Sequence, residues 1–146
     1  MKTTRKYYFL FLSLMVIISI SAIPSCRKPD PTGKEINTKL ITSKPWMLQS
    51  VTVDGVDQTA VYAGMTLSFT ATHYTATNGE PIWLATGGWT FTDNSGKIIE
   101  RADGLMITVI SLSSTQLSLG LDWAQTTFGG GRVGSVQGNH VFNFTH

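Results

Sequence analysis

Apolar residues recur at every second position along most of the chain, rather than at the 3.6-residue spacing of an amphipathic helix. The residues between them are mostly Thr, Ser and Asn, so each segment has one apolar face and one polar face. This is the pattern of antiparallel strands with one side toward water. The alternating apolar sets are Met65, Leu67 and Phe69; Trp89 and Phe91; Leu105, Ile107 and Val109; Leu117, Leu119 and Leu121; and Phe142 and Phe144.

Tight-turn sequences separate these segments. Asp-Gly or Asn-Gly pairs stand at 54–55, 78–79 and 103–104, and Asp-Asn-Ser-Gly stands at 93–96. Such pairs supply the positive φ that short hairpin turns need. Residues 65–77 are also compatible with one long bent strand, and 57–64 with one helical turn. The predicted strands are 46–53, 65–70, 72–77, 88–92, 97–101, 105–110, 115–121 and 139–145.

About eight sequential strands with one apolar face predict an all-β fold. An antiparallel up-and-down β-barrel is favoured because closure removes the exposed edges and the connections are short. A Greek-key β-sandwich is the alternative. The Gly-rich stretch 128–135 does not contain the Gly-Lys-Ser/Thr of a phosphate-binding loop. It predicts a flexible connection into the last strand.

The N-terminal 25 residues have the anatomy of a secretory signal. Lys2, Arg5 and Lys6 precede an apolar run over 7–23, and small residues follow. A transmembrane anchor is the alternative, but this run is slightly shorter than the roughly 20 apolar residues that a span needs. We therefore expect 1–25 to be a signal peptide.

The single cysteine, Cys26, stands where the signal ends. Residues 23–26, Ile-Pro-Ser-Cys, resemble the relaxed lipobox of bacterial lipoproteins. The resemblance implies diacylation of Cys26, palmitate among its acyl chains, export, and anchoring in the cell envelope at the outer membrane. Two acyl chains would hold a small domain firmly on a bilayer. Residues 26–44 are polar and predict a tether, although the spacing of Ile36, Leu40 and Ile41 is also compatible with a short helix.

Several segments resemble the lipocalin-like domain of small Bacteroidota lipoproteins. The matching segments are 44–51 (KPWMLQSV), 53–55 (VDG), 67–70 (LSFT) with 74–79 (YTATNG), 88–91 (GWTF) and 141–144 (VFNF). The resemblance covers most of 40–146 and implies a lipocalin-like barrel over 45–146. Because aromatic residues could line its cavity, we expect such a barrel to bind a small hydrophobic molecule.

The charge balance and the cysteine count argue against some kinds of partner and site. Three of the eleven Lys and Arg residues lie in the first 25, so eight basic residues face nine acidic ones from residue 26 onward. A nearly neutral body argues against a nucleic-acid partner, which requires a basic face. One cysteine excludes an internal disulfide framework and a thiolate zinc site.

The aromatic residues are the candidate ligand-binding set, because ligand pockets are mostly apolar. The alternative is that these rings simply fill the barrel. Trp83 and Trp123 lie in predicted loops, which leaves open a second function: a non-enzymatic interaction module that binds an envelope protein or a glycan. The candidate ligand-binding residues are Trp46, Phe69, Tyr74, Trp83, Trp89, Phe91, Trp123 and Phe142.

No catalytic or metal-binding pattern stands out. His73, His140 and His146 are isolated, without metal-ligand spacing. His140 shares the parity of Phe142, so it is expected to point inward. The carboxylates show no pairing for acid–base chemistry, and no Ser lies in a nucleophile elbow. We therefore expect a protein that is not an enzyme and that has no cofactor or metal.

Overall fold

The computed structural model describes residues 28–125, 127–129, 132–135 and 137–146. The segment 1–25, expected to be a signal peptide, and Cys26 lie outside the described residues. A compact unit extends from Pro31 to His146. Besides a 3₁₀ helix at Thr59–Tyr62, its elements are α1 (Gly33–Ile41), β1 (Trp46–Val53), β2 (Val56–Asp57), β3 (Thr66–Phe69), β4 (His73–Thr77), β5 (Thr86–Phe91), β6 (Ile98–Arg101), β7 (Met106–Leu112), β8 (Gln116–Trp123), β9 (Thr127–Gly129), β10 (Arg132–Ser135) and β11 (Gly138–Thr145).

Eight antiparallel strands form a closed barrel with up-and-down topology. Strands β3 to β8 pair in sequence order, β3 pairs with β1, and β8 pairs with β11. The sheet closes where β11 pairs with β1, from Met47 opposite Thr145 to Val53 opposite His140. This closure confirms the predicted barrel and excludes the sandwich alternative. Strand β2 is an extra strand that pairs with the end of β1.

The predicted alternation describes the barrel walls correctly. Met65, Leu67 and Phe69 are buried, and so are Trp89 and Phe91. Residues 65–77 form two strands rather than one bent strand, because the chain turns at 70–72 between Phe69 and Tyr74, which face each other across β3 and β4. The helical turn expected within 57–64 is the 3₁₀ helix.

Two local expectations were wrong. Trp123 is the last residue of β8, not a loop residue, because β8 extends its pairing with β11 as far as Gly138. The Gly-rich stretch 128–135 was predicted as a flexible connection, and no strand was predicted there. It contains a second, two-stranded sheet instead, in which β9 pairs with β10.

Helix α1 lies within the segment that was predicted as a tether. Thr32 caps its N-terminus, and Glu35 completes a capping box. The helix contacts the turn between β5 and β6, where the backbone N–H of Lys34 donates to the Asn94 carbonyl at 3.0 Å. Ile41 at its end belongs to the barrel core. The spacing of apolar residues thus identified a real helix, and this helix packs on the barrel.

The core is one cluster of buried apolar side chains inside the barrel. Its largest fully buried side chains are aromatic: Trp46, Trp83, Tyr62, Tyr74 and Phe142. Within the part of the chain that the structure describes, none of the helices has the length and apolar character to span a bilayer.

Candidate functional site

Aromatic rings form a continuous path of contacts through the barrel interior. Phe91 contacts Trp89, and Trp89 contacts Phe69, each pair edge to face with ring centroids 5.2 Å apart. Phe69 contacts Tyr74 at 6.3 Å and Tyr74 contacts Trp83 at 5.4 Å. We call these residues, together with the Phe142 group described next, the aromatic cluster.

Phe142 lies at the end of this path that is opposite Phe91, and four other rings contact it. Tyr62 and Trp83 contact its ring edge on, at centroid distances of 5.2 and 6.2 Å. The imidazole of His140 is nearly parallel to it at 6.0 Å, and Phe144 lies on the same strand at 6.2 Å. Six of the eight sequence-predicted residues therefore belong to one connected cluster.

The other two candidates lie elsewhere. The indole of Trp46 donates to the carbonyl of Ile41 at 2.9 Å, and the imidazole of His146 stacks on it at 3.7 Å. Trp46 thus joins α1 and the last strand to the beginning of β1. Trp123 is partly buried and packs against the core.

The burial of Trp83 contradicts one part of the interaction-module alternative, in which the Trp83 side chain would contact a partner. Trp83 lies in a loop, as expected, but none of its side chain is exposed. A fully buried indole cannot present a surface to a partner. The large exposed apolar side chains among the described residues are aliphatic, such as Met47, Val61 and Leu84.

Two glycines make room for the cluster. An added Cβ at Gly87 would lie 2.7 Å from the ring of Tyr74, and one at Gly79 would lie 2.6 Å from the Cβ of Trp83. Real Cβ atoms do not approach so closely, so any side chain at either position would displace the aromatic ring. Glycine at 79 and 87 is therefore what lets Trp83 and Tyr74 pack inward.

Arg101 is a buried charge that the sequence analysis did not single out. The residue is 3 % exposed, and its guanidinium lies 5.6 Å from the ring centroids of both Tyr74 and Trp83. It donates to the carbonyl of Ile82 and forms a two-bond pair with the carboxylate of Asp103. Arg101 therefore holds the loop that carries Trp83 against the turn between β6 and β7.

A signal for Arg101 was present in the sequence. It has the same strand parity as Ile99, which faces the core. A charged residue at an inward position requires a partner, and Asp103 stands two residues later in an Asp-Gly turn. The hydrogen bonds from Arg101 hold the pKa of Asp103 below its ordinary value of 3.8.

An open groove of about 490 Å³ lies beside the aromatic cluster. Ala60, Val61 and Ala63 line it from the 3₁₀ helix and the residue that follows, whereas 78–80 and Ala85 line it from the loop between β4 and β5. Ala76 of β4 also lines the groove and belongs to the buried core. The groove therefore touches the barrel interior.

The two segments that bound the groove each bury one ring. Tyr62 lies between groove residues Val61 and Ala63, and Trp83 lies between Glu80 and Ala85. Both rings point into the barrel, where they meet Phe142 edge on. The groove and the aromatic cluster thus lie on opposite sides of the same two segments.

Three buried polar atoms around Phe142 have no hydrogen-bond partner: the hydroxyl of Tyr62, Nε1 of Trp83 and Nε2 of His140. Burial raises the pKa of Tyr62 to about 12. Burial likewise lowers the pKa of His140 from 6.5, against the opposing effects of a hydrogen bond to Gly138 and the charge of Asp54. Both side chains are therefore neutral at pH 7. Trp123 has a similar unpartnered Nε1.

Among the described residues, no group of three or more His, Cys, Asp or Glu side chains has a geometry that could hold a metal ion. The carboxylates of Asp54 and Asp122 each accept a hydrogen bond from Asn139 at 2.9 Å, so they join β11 to the neighbouring turn and strand. These polar groups have structural partners.

The sequence matches no protein-family model, and no curated protein is similar to it. The functional argument therefore rests on the residues and on the geometry of the barrel.

Proposed function

We propose that the protein is a lipid-anchored envelope protein whose barrel binds a small hydrophobic molecule. One observation carries the binding part: the groove of about 490 Å³ meets the buried core at Ala76. This volume lies within the roughly 300–1,000 Å³ that is usual for small-molecule sites. The lipid anchor is supported by the basic start, the apolar run and Cys26 of the N-terminal segment.

The small side chains of the groove favour a compact ligand. Its lining includes four alanines and a glycine, so short side chains leave the space open. Glu80 and Asn78 supply polar groups at the same site. The accessible surface of the groove is mainly polar, so the apolar part of a ligand would be bound by the aromatic cluster behind it.

The ligand would reach the aromatic cluster by passing between the two bounding segments. Tyr62 and Trp83 are the rings that these segments bury, and Phe142 lies behind both. In this proposal the six candidates of the aromatic cluster define the apolar environment of the ligand. Arg101 positions the segment that carries Trp83.

Filling the groove should abolish binding. Ala85 is exposed and lines the groove, so Ala85→Phe places a ring in it without disturbing the core. The full chain, reconstituted in lipid nanodiscs, is titrated with 1-octanol, 1-methoxyheptane and octanoate while tryptophan fluorescence is recorded. We expect at least one probe to bind the wild type and Ala85→Phe to weaken it by about tenfold or more.

The matched control is Ala71→Phe, which adds the same ring at an exposed turn position outside the groove. Its apparent Kd should stay within about twofold of the wild type. Failure of all three probes to bind the wild type, or equal losses in the two variants, would overturn the proposed site.

A further inference from the structure

The three unpartnered atoms around Phe142 have a definite hydrogen-bonding character. The indole Nε1 of Trp83 can only donate, and the hydroxyl of Tyr62 can donate. His140 differs, because its Nδ1 lies 3.1 Å from the carbonyl oxygen of Gly138. A carbonyl only accepts, so Nδ1 carries the proton, and Nε2 of the neutral ring is left as an acceptor.

These atoms are deeply buried, and each belongs to a ring that contacts Phe142. Tyr62 is 1 % exposed, and Trp83 and His140 are not exposed at all. Their rings contact Phe142 from separate elements: the 3₁₀ helix, the loop between β4 and β5, and β11. Buried polar groups nearly always have partners, and an unpartnered one costs free energy. A cluster of three points to a ligand that supplies the missing partner.

We propose that these side chains form a hydroxyl-binding position at the inner end of the ligand site. A hydroxyl has one donor and two acceptor lone pairs. It can donate to Nε2 of His140 while it accepts from Nε1 of Trp83 and from the hydroxyl of Tyr62. The ligand class is therefore a small hydrophobic alcohol or phenol. This inference rests on the proposed function.

Other ligand headgroups match the cluster less well. A carboxylate only accepts, so it would leave Nε2 of His140 unpartnered, and it would bring an unpaired charge into the barrel. An ether also accepts without donating. A pure hydrocarbon would satisfy none of the three atoms. A water molecule has suitable chemistry, and the experiment separates it from a ligand hydroxyl.

The test compares 1-octanol with its isomer 1-methoxyheptane and with octanoate, using the full chain in nanodiscs. Each probe partitions equally into the lipid around every variant, so ratios of apparent Kd between variant and wild type report the protein site. Tyr62→Phe deletes only a hydroxyl. His140→Phe removes the acceptor and keeps a ring of similar shape against Phe142.

We expect Tyr62→Phe to weaken octanol and methoxyheptane by about tenfold each, since both accept a hydrogen bond. His140→Phe should weaken octanol by a similar factor and leave methoxyheptane within about twofold, since the ether donates nothing. Octanoate should bind more weakly than octanol to the wild type. Unfolding midpoints near the wild-type value establish that each variant is folded.

Equal losses for octanol and its isomer in His140→Phe would overturn the hydroxyl assignment. Unchanged octanol affinity in both variants would also overturn it, because water would then satisfy these atoms. In either case binding to the wild type would leave the proposed function standing. If no probe binds the wild type, the proposed function itself fails.

Discussion

Arg101 shows how one inward-facing charge organises a loop. Its guanidinium lies 5.6 Å from the ring centroids of both Tyr74 and Trp83, and its hydrogen bonds go to Ile82 and Asp103. A buried guanidinium requires this degree of pairing because desolvation of an unpaired charge costs several kcal/mol. Arg101 therefore occupies a core position that an apolar side chain could fill. Its hydrogen bonds fix the position of the segment that bounds the groove.

The pairing with Arg101 should make the contribution of Asp103 to stability depend on pH. The pKa of Asp103 is lowered in the folded state. Its contribution is therefore present above its ordinary pKa of 3.8 and is lost as the pH falls through the lowered value. We expect Asp103→Asn to reduce the free energy of unfolding by about 1 kcal/mol at neutral pH, discounted for the partial exposure of this carboxylate.

Urea unfolding of the wild type and Asp103→Asn, from about pH 7 to about pH 3, measures this effect. The difference between the two proteins should begin to shrink as the pH falls below 3.8. His140 titrates in both proteins, so its contribution cancels in the difference. A difference that stays constant across this range would contradict the proposed role of the ion pair.

At the scale of elements, helix α1 belongs to the barrel structurally. A capping box starts it, and Asn37 donates from its side chain to the carbonyl of Gly96 at 2.9 Å. Gly33 lies so close to the Ser95 backbone that an added Cβ would clash with it. Helix α1 therefore contacts the turn between β5 and β6 through hydrogen bonds and close backbone packing. It contacts the core through Ile41.

Ile41 tests how strongly α1 supports the barrel. Its side chain is fully buried in the core, so Ile41→Ala should lower the free energy of unfolding by about 2–5 kcal/mol. The matched control is Ile36→Ala on the same helix, where the side chain is 46 % exposed, and its cost should be below about 1 kcal/mol. Chemical denaturation measures both. Similar small losses in the two variants would mean that α1 contributes little to the barrel.

At the scale of the whole molecule, the barrel is closed and its aromatic cluster is continuous from Phe91 to Phe142. The groove adjoins this cluster at one place, where the 3₁₀ helix and the loop between β4 and β5 approach each other. Anchoring by the N-terminal segment would hold such a barrel at a membrane surface. A hydrophobic ligand would then transfer between the bilayer and the protein over a short distance.

The anchor prediction concerns Cys26. If this residue is diacylated, Cys26→Ala should move the protein from the membrane fraction to the soluble fraction and abolish labelling with a palmitate analogue. Fractionation after a carbonate wash, with immunoblotting, gives the measurement. Ser13→Ala is the control, since it leaves Cys26 and the apolar run in place. Retention of Cys26→Ala in the washed membranes would contradict lipidation.

The sequence by itself determined the wall of the barrel. Alternation of apolar and polar side chains specifies which face of a strand is buried, and Asp54-Gly55 supplies a turn with positive φ at both residues. These are local properties, so strands such as Trp46–Val53 were predicted with their observed bounds. The inward parity of His140 was predictable for the same reason, and the residue is fully buried.

Only the tertiary structure decided the site. Trp83 is buried although its loop has no periodicity, because Gly79 and the contact with Arg101 let the chain fold inward there. The groove is lined both by the 3₁₀ helix and by residues about twenty positions later along the chain. Contacts between segments so far apart depend on strand register and closure, which no local pattern encodes. That is why the sequence predicted the aromatic residues, whereas their arrangement around Phe142 emerged only from the closed barrel.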